Sequence, residues 1–346
     1  MMEGFESLTE AADVAGSSLV SDRWTIQSSN TRFGTDYSRW SGGVGFKSTL
    51  YDGYVRSRFP LPNPFTVGWA MWRPVGSASY HASRNTFMAY DGASQQNGSL
   101  GSVGAEVFVE QPNSLGHTFS TTGLILGGVW QYWEVKFYSH ASAGYCEIRI
   151  NGVEAINVTG KNFMNAVDIA ISFRIGLCYD LSPTYIDDVY VTDGEFLGPV
   201  KVKTFKPDSD GTYTDFAPSA GSNYENVDEI PYDGDTSYNQ GNAIGDKDTV
   251  QYTVGALGGP VKAVQLASVR KKSSIATARV KNLIRSNSTD YLSSSEVNMQ
   301  TDYVEDVEVY EDDPDDSNPW TQTKIEAAEF GLQITSLSTT TTTTTT

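Results

Sequence analysis

The chain has 346 residues, 39% hydrophobic and 19% charged, a balance that suits packed globular domains and excludes a largely disordered protein. Its formal net charge is −18, with both halves acidic, which argues against a nucleic-acid partner because a phosphate backbone would be repelled. No segment approaches the ~18 apolar residues of a membrane span, and the opening "MMEGFESLTEAADVAG" carries acids where a signal peptide needs positive charge, so synthesis in a cytoplasm without membrane insertion is expected.

In chain order, "STLYDGYVRSRFPL", "FTVGWAMWRPV", "NTFMAYDG" and "GAEVFVEQ" read as strands bounded by Gly, Pro and Asn. "WEVKFY" then sets Trp133, Val135 and Phe137 on one face and Glu134, Lys136 and Tyr138 on the other. "CEIRINGVEAINVT" does the same with Cys146, Ile148 and Ile150, and its Asn151-Gly152 pair is a hairpin signal, since both residues accept positive φ. "ISFRIGL" points Ile171, Phe173, Ile175 and Leu177 inward. The two cysteines, Cys146 and Cys178, lie in separate strands and read as buried thiols. So many short strands predict an all-β chain, with a β-sandwich over residues 1–198.

Gly198-Pro199 breaks the pattern. A loop-rich, acidic stretch from Asp210 to Asp248 follows, then strands at "TVQYTV", "VKAVQLASVRK", "ATARVKNLIRS" and "YVEDVEVYE". "WTQTKIEAAEFG" predicts one short helix burying Trp320, Ile325, Ala328 and Phe330, with Gly331 as its stop. Residues 199–338 thus read as a second, mostly β module. The poly-Thr run 339–346 has no apolar period and is expected to be an extended tail.

Adjacent carboxylates, Asp187 and Asp188, sit inside the apolar run "TYIDDVYVTDGEFLG". Strand alternation would send their side chains to opposite faces, which forbids sharing a proton or an ion and makes them structural, Asp187 requiring backbone N–H groups or an Arg. No strand carries the Glu-x-Asp-x-x-Glu spacing of a sandwich glycosidase. His81, His117 and His140 are scattered through loops, with no G-x-S-x-G elbow, HExxH, P-loop or dinucleotide fingerprint, so no catalytic residue is assigned. Calcium is the one ion the sequence offers: "PDSDGTYTD" and "YDGDTSY" present Asp208, Asp210, Asp233 and Asp235 as oxygen ligands, and Asx-turns explain the same pattern. "EDDPDDSN" reads as a solvated loop.

The succession of "GGVWQYWEVKFYS", "GYCEIRINGVEAINVTG" and "YIDDVYVTD" resembles the concanavalin A-like, laminin-G-like lectin sandwich. With "EGFESL", "TRFGTDYSRWSGGVGF", "NVDEIPYDGDTSYNQG" and "DDPDDSNPWTQTKIEAAEFGLQI", the whole resembles virion proteins of tailed bacteriophages. That resemblance implies a non-enzymatic, surface-exposed virion part, a homo-oligomer among other virion proteins, associated with the tail or its fibres and with host-surface glycans. Head decoration or clamping of neighbouring subunits is the alternative, and degradation of host polysaccharide a further one. A lectin-like sandwich would stack sugars on loop aromatics, for which Tyr37, Trp40, Tyr80 and Tyr179 are the candidates.

Overall fold

A computed structural model of the chain describes residues 2–3, 18–21, 24–27, 31–34, 37–39, 45–48, 53–57, 59–75, 85–103, 106–112, 117–119, 124–165, 169–177, 183–229, 232–273 and 277–338. The chain is all-β apart from one short α-helix among the described residues, and it divides into two compact units, Met1–Lys203 and Thr204–Thr346.

The first unit is a β-sandwich of two eight-stranded antiparallel sheets. One runs edge to edge through Val153–Lys161, Gly144–Ile150, Trp130–Tyr138, Phe65–Trp72, Thr184–Thr192, Gly45–Ser48 and Thr31–Gly34, with Met2–Glu3 alongside Thr184–Thr192. The other runs through His117–Phe119, Glu106–Glu110, Gln96–Val103, Asn85–Tyr90, Ser172–Leu177, Gly53–Ser57, Trp24–Gln27 and Ser18–Ser21. Period-2 alternation builds the core between them: Phe65, Val67, Trp69 and Met71 face inward beside Trp133, Val135, Phe137, Cys146, Ile148 and Ile150, all at most 2% exposed. Trp69 stacks on Trp133 and on Phe87 from the facing sheet, with ring centres 6.3 and 6.2 Å apart. Each such ring stabilises the fold by roughly 1.5–3 kcal/mol through area removed from water.

Asn151 and Gly152 have φ of 52° and 78° and close the hairpin between Gly144–Ile150 and Val153–Lys161. The Asn151 side chain also accepts the Tyr132 N–H, at 2.8 Å, so the turn is tied to the neighbouring strand. One inward assignment needs correction, and one strand went unread. Ile171 is 43% exposed, because pairing begins only at Ser172, while Phe173 and Ile175 are fully buried. Gln96–Val103, polar and Gly-containing, forms a strand that its sequence hides.

The second unit is built on a sheet ordered Ser209–Thr214, Lys247–Gln251, Glu329–Leu337, Ala278–Ser286 and Thr289–Leu292, with Val297–Asn298 also paired to Ala278–Ser286. The helix is Gln322–Ala327, its amino end capped by Thr321, whose hydroxyl accepts the Lys324 N–H. Trp320, Ile325, Ala328 and Phe330 are buried, but only Ile325 lies on the helix: Trp320 precedes it, Ala328 caps it and Phe330 belongs to Glu329–Leu337. Gly331 is not the helix stop. It lies inside Glu329–Leu337, where a Cβ would meet the Asp248 carbonyl oxygen at 1.8 Å. The loop-rich stretch is held by asparagines: Asn226 accepts from Ser219 Oγ and the Ala220 N–H and donates to the Ser222 carbonyl, and Asn223 donates to the Phe216 carbonyl and to Asp248. The "EDDPDDSN" run is not a free loop, since Asp312–Asp313 pairs with Asn318–Pro319 and Lys324 bonds Asp316.

Candidate functional site

The strand Thr184–Thr192 carries the adjacent acids, and there the alternation fails. Asp187 pairs with Ala70 and Tyr190 with Gly68, so three steps along one strand match two along its neighbour, and Asp188 takes up the extra residue at φ 52°. This is a β-bulge, with Asp tolerating the left-handed backbone that most side chains avoid. Ile186 and Val189 consequently both enter the core, and the two acids between them turn toward a common segment instead of opposite faces. The expectation of opposed carboxylates is therefore overturned.

What they converge on is residues 38–39. Asp187 Oδ2 accepts from Ser38 Oγ at 3.0 Å and from the Arg39 N–H at 2.8 Å, while its Oδ1 accepts the Asp188 N–H. Asp188 Oδ2 pairs with the Arg39 guanidinium at 3.2 Å, and its Oδ1 accepts the Val202 N–H at 2.8 Å. Both acids are at most 1% exposed. Asp187 thus finds the backbone donors that its burial demands, and the pair acts as a clamp on a loop. Gly45 completes the clamp, because a Cβ there would strike the Tyr37 carbonyl oxygen at 2.1 Å.

Burial, and then the charge of Asp188, push the Asp187 carboxyl from its ordinary 3.8 up to about 7, against the opposing bonds from Arg39, Asp188 and Ser38. A carboxyl raised on folding binds its proton more tightly folded than unfolded, so its ionisation opposes folding. Its contribution is fully present below 3.8 and is lost as pH rises through about 7. The melting temperature of the wild type relative to Asp187→Asn is accordingly expected to fall between pH 4 and pH 8, and a pH-independent difference would contradict the assignment.

Along the same outer face, cross-strand register lays out rows. Arg149, Glu134, Gly68 and Tyr190 are successive partners across four strands. The Tyr190 hydroxyl donates to the buried Glu134 carboxylate, which also accepts the Gly198 N–H at 2.8 Å, and Tyr132 donates to the Asp188 carbonyl at 2.9 Å. The segment Gly194–Lys203 lies over this row: Leu197 N–H reaches the Tyr190 hydroxyl, Val200 accepts from Arg39, and Phe196 sits against Lys136 and Arg149. That coverage places the division between units after Lys203 rather than after Gly198. Tyr190 lies flat because its neighbour lacks a side chain; a Cβ on Gly68 would meet Tyr190 Cε1 at 2.1 Å. Since Tyr190 is held at its hydroxyl, Gly68→Ala is expected to cost about 1–3 kcal/mol in urea unfolding.

Beyond the row formed by Tyr132, Ala70 and Asp187 lies a further, less buried row. Trp130, Trp72, Tyr185 and Lys47 are direct partners across four strands, all half-buried. Trp72 and Tyr185 have ring centres 5.0 Å apart, Tyr37 stacks on Tyr185 at 5.5 Å with planes 9° apart, and the Lys47 ammonium lies 4.8 Å from the Tyr37 ring. The clamp fixes residues 38–39 and so carries Tyr37 to this row. The result is an aromatic shelf with a cation at one end.

Of the candidate sugar-binding residues, Tyr37 belongs to this shelf, and Trp40, Tyr80 and Tyr179 lie outside the described residues. Sequence reading missed Trp72, Trp130 and Tyr185, although each stands on the strand parity opposite to a core residue, which was a usable signal. Among the histidines, His140 Nδ1 accepts the N–H groups of Ser142 and Ala143 in a turn, and His81 lies outside the described residues. Cys146 is a free, buried thiol, its pKa raised by desolvation, and Cys178 also lies outside the described residues, as does the Thr run 339–346.

The four candidate calcium ligands all accept hydrogen bonds from protein donors, and only Asp233 does so within its own turn. Asp208 accepts the Thr253 N–H, Asp210 the Tyr224 N–H, Asp233 the Ser237 N–H and hydroxyl, and Asp235 pairs with Lys271 and Tyr303. Among the described residues no three His, Cys, Asp or Glu side chains gather as a metal-holding group. No helix among them is long and apolar enough to cross a membrane.

No protein-family model and no curated protein matches the chain. Solved structures resemble it as folds. An endo-1,3-β-glucanase from Streptomyces sioyaensis is 13% identical over 55% of this chain and 94% of that chain, with TM-score 0.38. The cellulose-induced protein Cip1 is 14% identical over 56% and 97%, with TM-score 0.38. An endo-β-1,4-glucuronan lyase from the fungus Trichoderma reesei is 13% identical over 49% and 86%, with TM-score 0.35. At such identities no activity passes from those proteins to this one.

Proposed function

We propose that the first unit is a non-catalytic carbohydrate-recognition sandwich, and that the chain is a surface part of a tailed-phage particle that attaches to host glycans. The observation that carries this reading is the half-buried row Trp130, Trp72, Tyr185 and Lys47, with Tyr37 stacked against it. Sugars present an apolar face of C–H groups that stacks on aromatic rings, while a nearby ammonium and hydroxyl read the ring substituents. The neighbouring acids support a binding role over a hydrolytic one, because Asp187, Asp188 and Glu134 spend their oxygens on Ser38, Arg39, Val202, Tyr190 and Gly198. The virion setting rests on the sequence resemblance, and multiple copies per particle would raise the avidity of a weak sugar contact.

A second reading draws on the same row. Tyr and Trp are the preferred anchors of protein interfaces, so the shelf also suits a clamp on a neighbouring virion subunit, on head or tail. Screening the full-length chain on a glycan array separates the two. Binding to a defined set of sugars supports attachment. No binding, together with aromatic-dependent association with particle subunits, supports the clamp. Release of reducing ends from host polysaccharide would instead make the chain an enzyme.

A further inference from the structure

The half-buried row does not end at its rings. Lys47 is its fourth position, and register carries it on to Arg32, the partner of Lys47 on the edge strand Thr31–Gly34. Across five strands the row is therefore Trp130, Trp72, Tyr185, Lys47 and Arg32, three aromatic positions followed by two cationic ones. Like charges as direct cross-strand partners destabilise a sheet unless a negative group offsets them. The Lys47 ammonium lies 4.8 Å from the Tyr37 ring and 5.8 Å from the Tyr185 ring, so two rings hold it at the end of the shelf. Among the described residues that ammonium donates to no protein acceptor, and the Trp72 indole N–H and Tyr185 hydroxyl have no protein hydrogen-bond partner either. The acid two positions along from Tyr185, Asp187, is spent on Ser38, Arg39 and the Asp188 N–H.

We propose that the shelf selects acidic glycans, sugars that carry a carboxylate or a sulfate ester, with the negative group seated on the Lys47 ammonium. This rests on the shelf being a sugar-binding surface and adds the class of sugar. The row from Trp130 to Lys47 crosses three strand spacings, about 14 Å, a length that suits a short chain of sugars rather than one ring. Trp130 and Trp72 offer ring surface to the C–H side of the sugar units, and the ammonium, already placed by the tyrosines, meets the charged unit. An ammonium is a compact point charge with three donors, so it pairs with either kind of anion without demanding a planar two-oxygen geometry. The net charge of −18 repels anions elsewhere on the chain, which favours this end of the row over the remaining surface.

The test is an array presenting lactose, sialyllactose, sulfolactose, oligogalacturonate and the methyl ester of oligogalacturonate, probed with the full-length chain. Acidic members are expected to be captured at least about tenfold better than their neutral counterparts, the value of a charge-assisted contact. Capture of the sialylated or uronic members identifies the group as a carboxylate, and capture of the sulfated one as a sulfate ester. Lys47→Gln is expected to bring acidic glycans down to the level of the neutral ones, with Lys47→Arg keeping the preference. Trp72→Ala is expected to weaken acidic and neutral sugars together, so that their ratio stays the same. Neutral sugars bound as well as acidic ones by the wild type, or a preference that survives Lys47→Gln, would overturn this assignment and leave the sugar-binding role standing. Capture of no sugar at all would overturn both, and the wild-type comparisons need no variant to fold.

Discussion

Arg39→Ala is expected to lower the stability of the first unit by about 3–5 kcal/mol, the cost of taking one partner from a buried ion pair. For a unit of this size that corresponds to a fall of roughly 10 °C in its melting transition. The reason lies in what Arg39 joins. Its guanidinium pairs with Asp188, which is fully buried, donates to the Val200 carbonyl at 3.2 Å and lies 5.5 Å from the centre of the Tyr132 ring. Removing it takes the paired guanidinium from the buried Asp188 charge and, at the same time, the donor from the Val200 carbonyl of the Gly194–Lys203 segment. Adding Asp188→Asn to Arg39→Ala removes that charge, so the double variant is expected to recover part of the loss. Equal and additive losses in the two single variants would mean that the pair is not coupled.

Trp72→Ala is expected to weaken glycan binding by about thirtyfold or more, the effect of deleting a central aromatic anchor. Trp72 is central because it pairs with Trp130 on one side and Tyr185 on the other, and Tyr185 in turn supports Tyr37. Tyr185→Ala is expected to act in the same direction and to free Tyr37 from its stacking partner. Both side chains are half-buried on the outer face, so the loss of stability should stay well below that of a core ring such as Trp133, whose truncation costs about 3–5 kcal/mol. Binding and stability are thereby separable, and a Trp72→Ala protein with normal melting and normal glycan affinity would remove the shelf from the function.

Strand polarity was legible in the sequence wherever one face meets the core, because burial imposes the period of two. Trp133, Val135, Phe137, Cys146, Ile148 and Ile150 follow it without exception. The bulge at Asp188 was not legible, since nothing local forces an aspartate to positive φ; contacts with Arg39 and Val202, distant in sequence, hold it there. The hairpin at Asn151-Gly152 could be read because its backbone demand is local. That Trp72, Trp130 and Tyr185 face away from the core was legible from strand parity, but that they form one row with Lys47 was not, because the row exists only through strand register. Gly331 shows the same limit: a helix stop by its position after "IEAAEF", it serves a sheet in which a neighbouring backbone passes too closely for a side chain.

The proposed attachment role depends most on the row of rings being a sugar-binding surface. A glycan array probed with the wild-type chain and with Trp72→Ala/Tyr185→Ala, each checked for an unchanged far-ultraviolet circular dichroism spectrum, tests this directly. Defined sugars captured by the wild type and lost by the folded double variant are the expected result. Sugars bound equally by both proteins, or by neither, would contradict it.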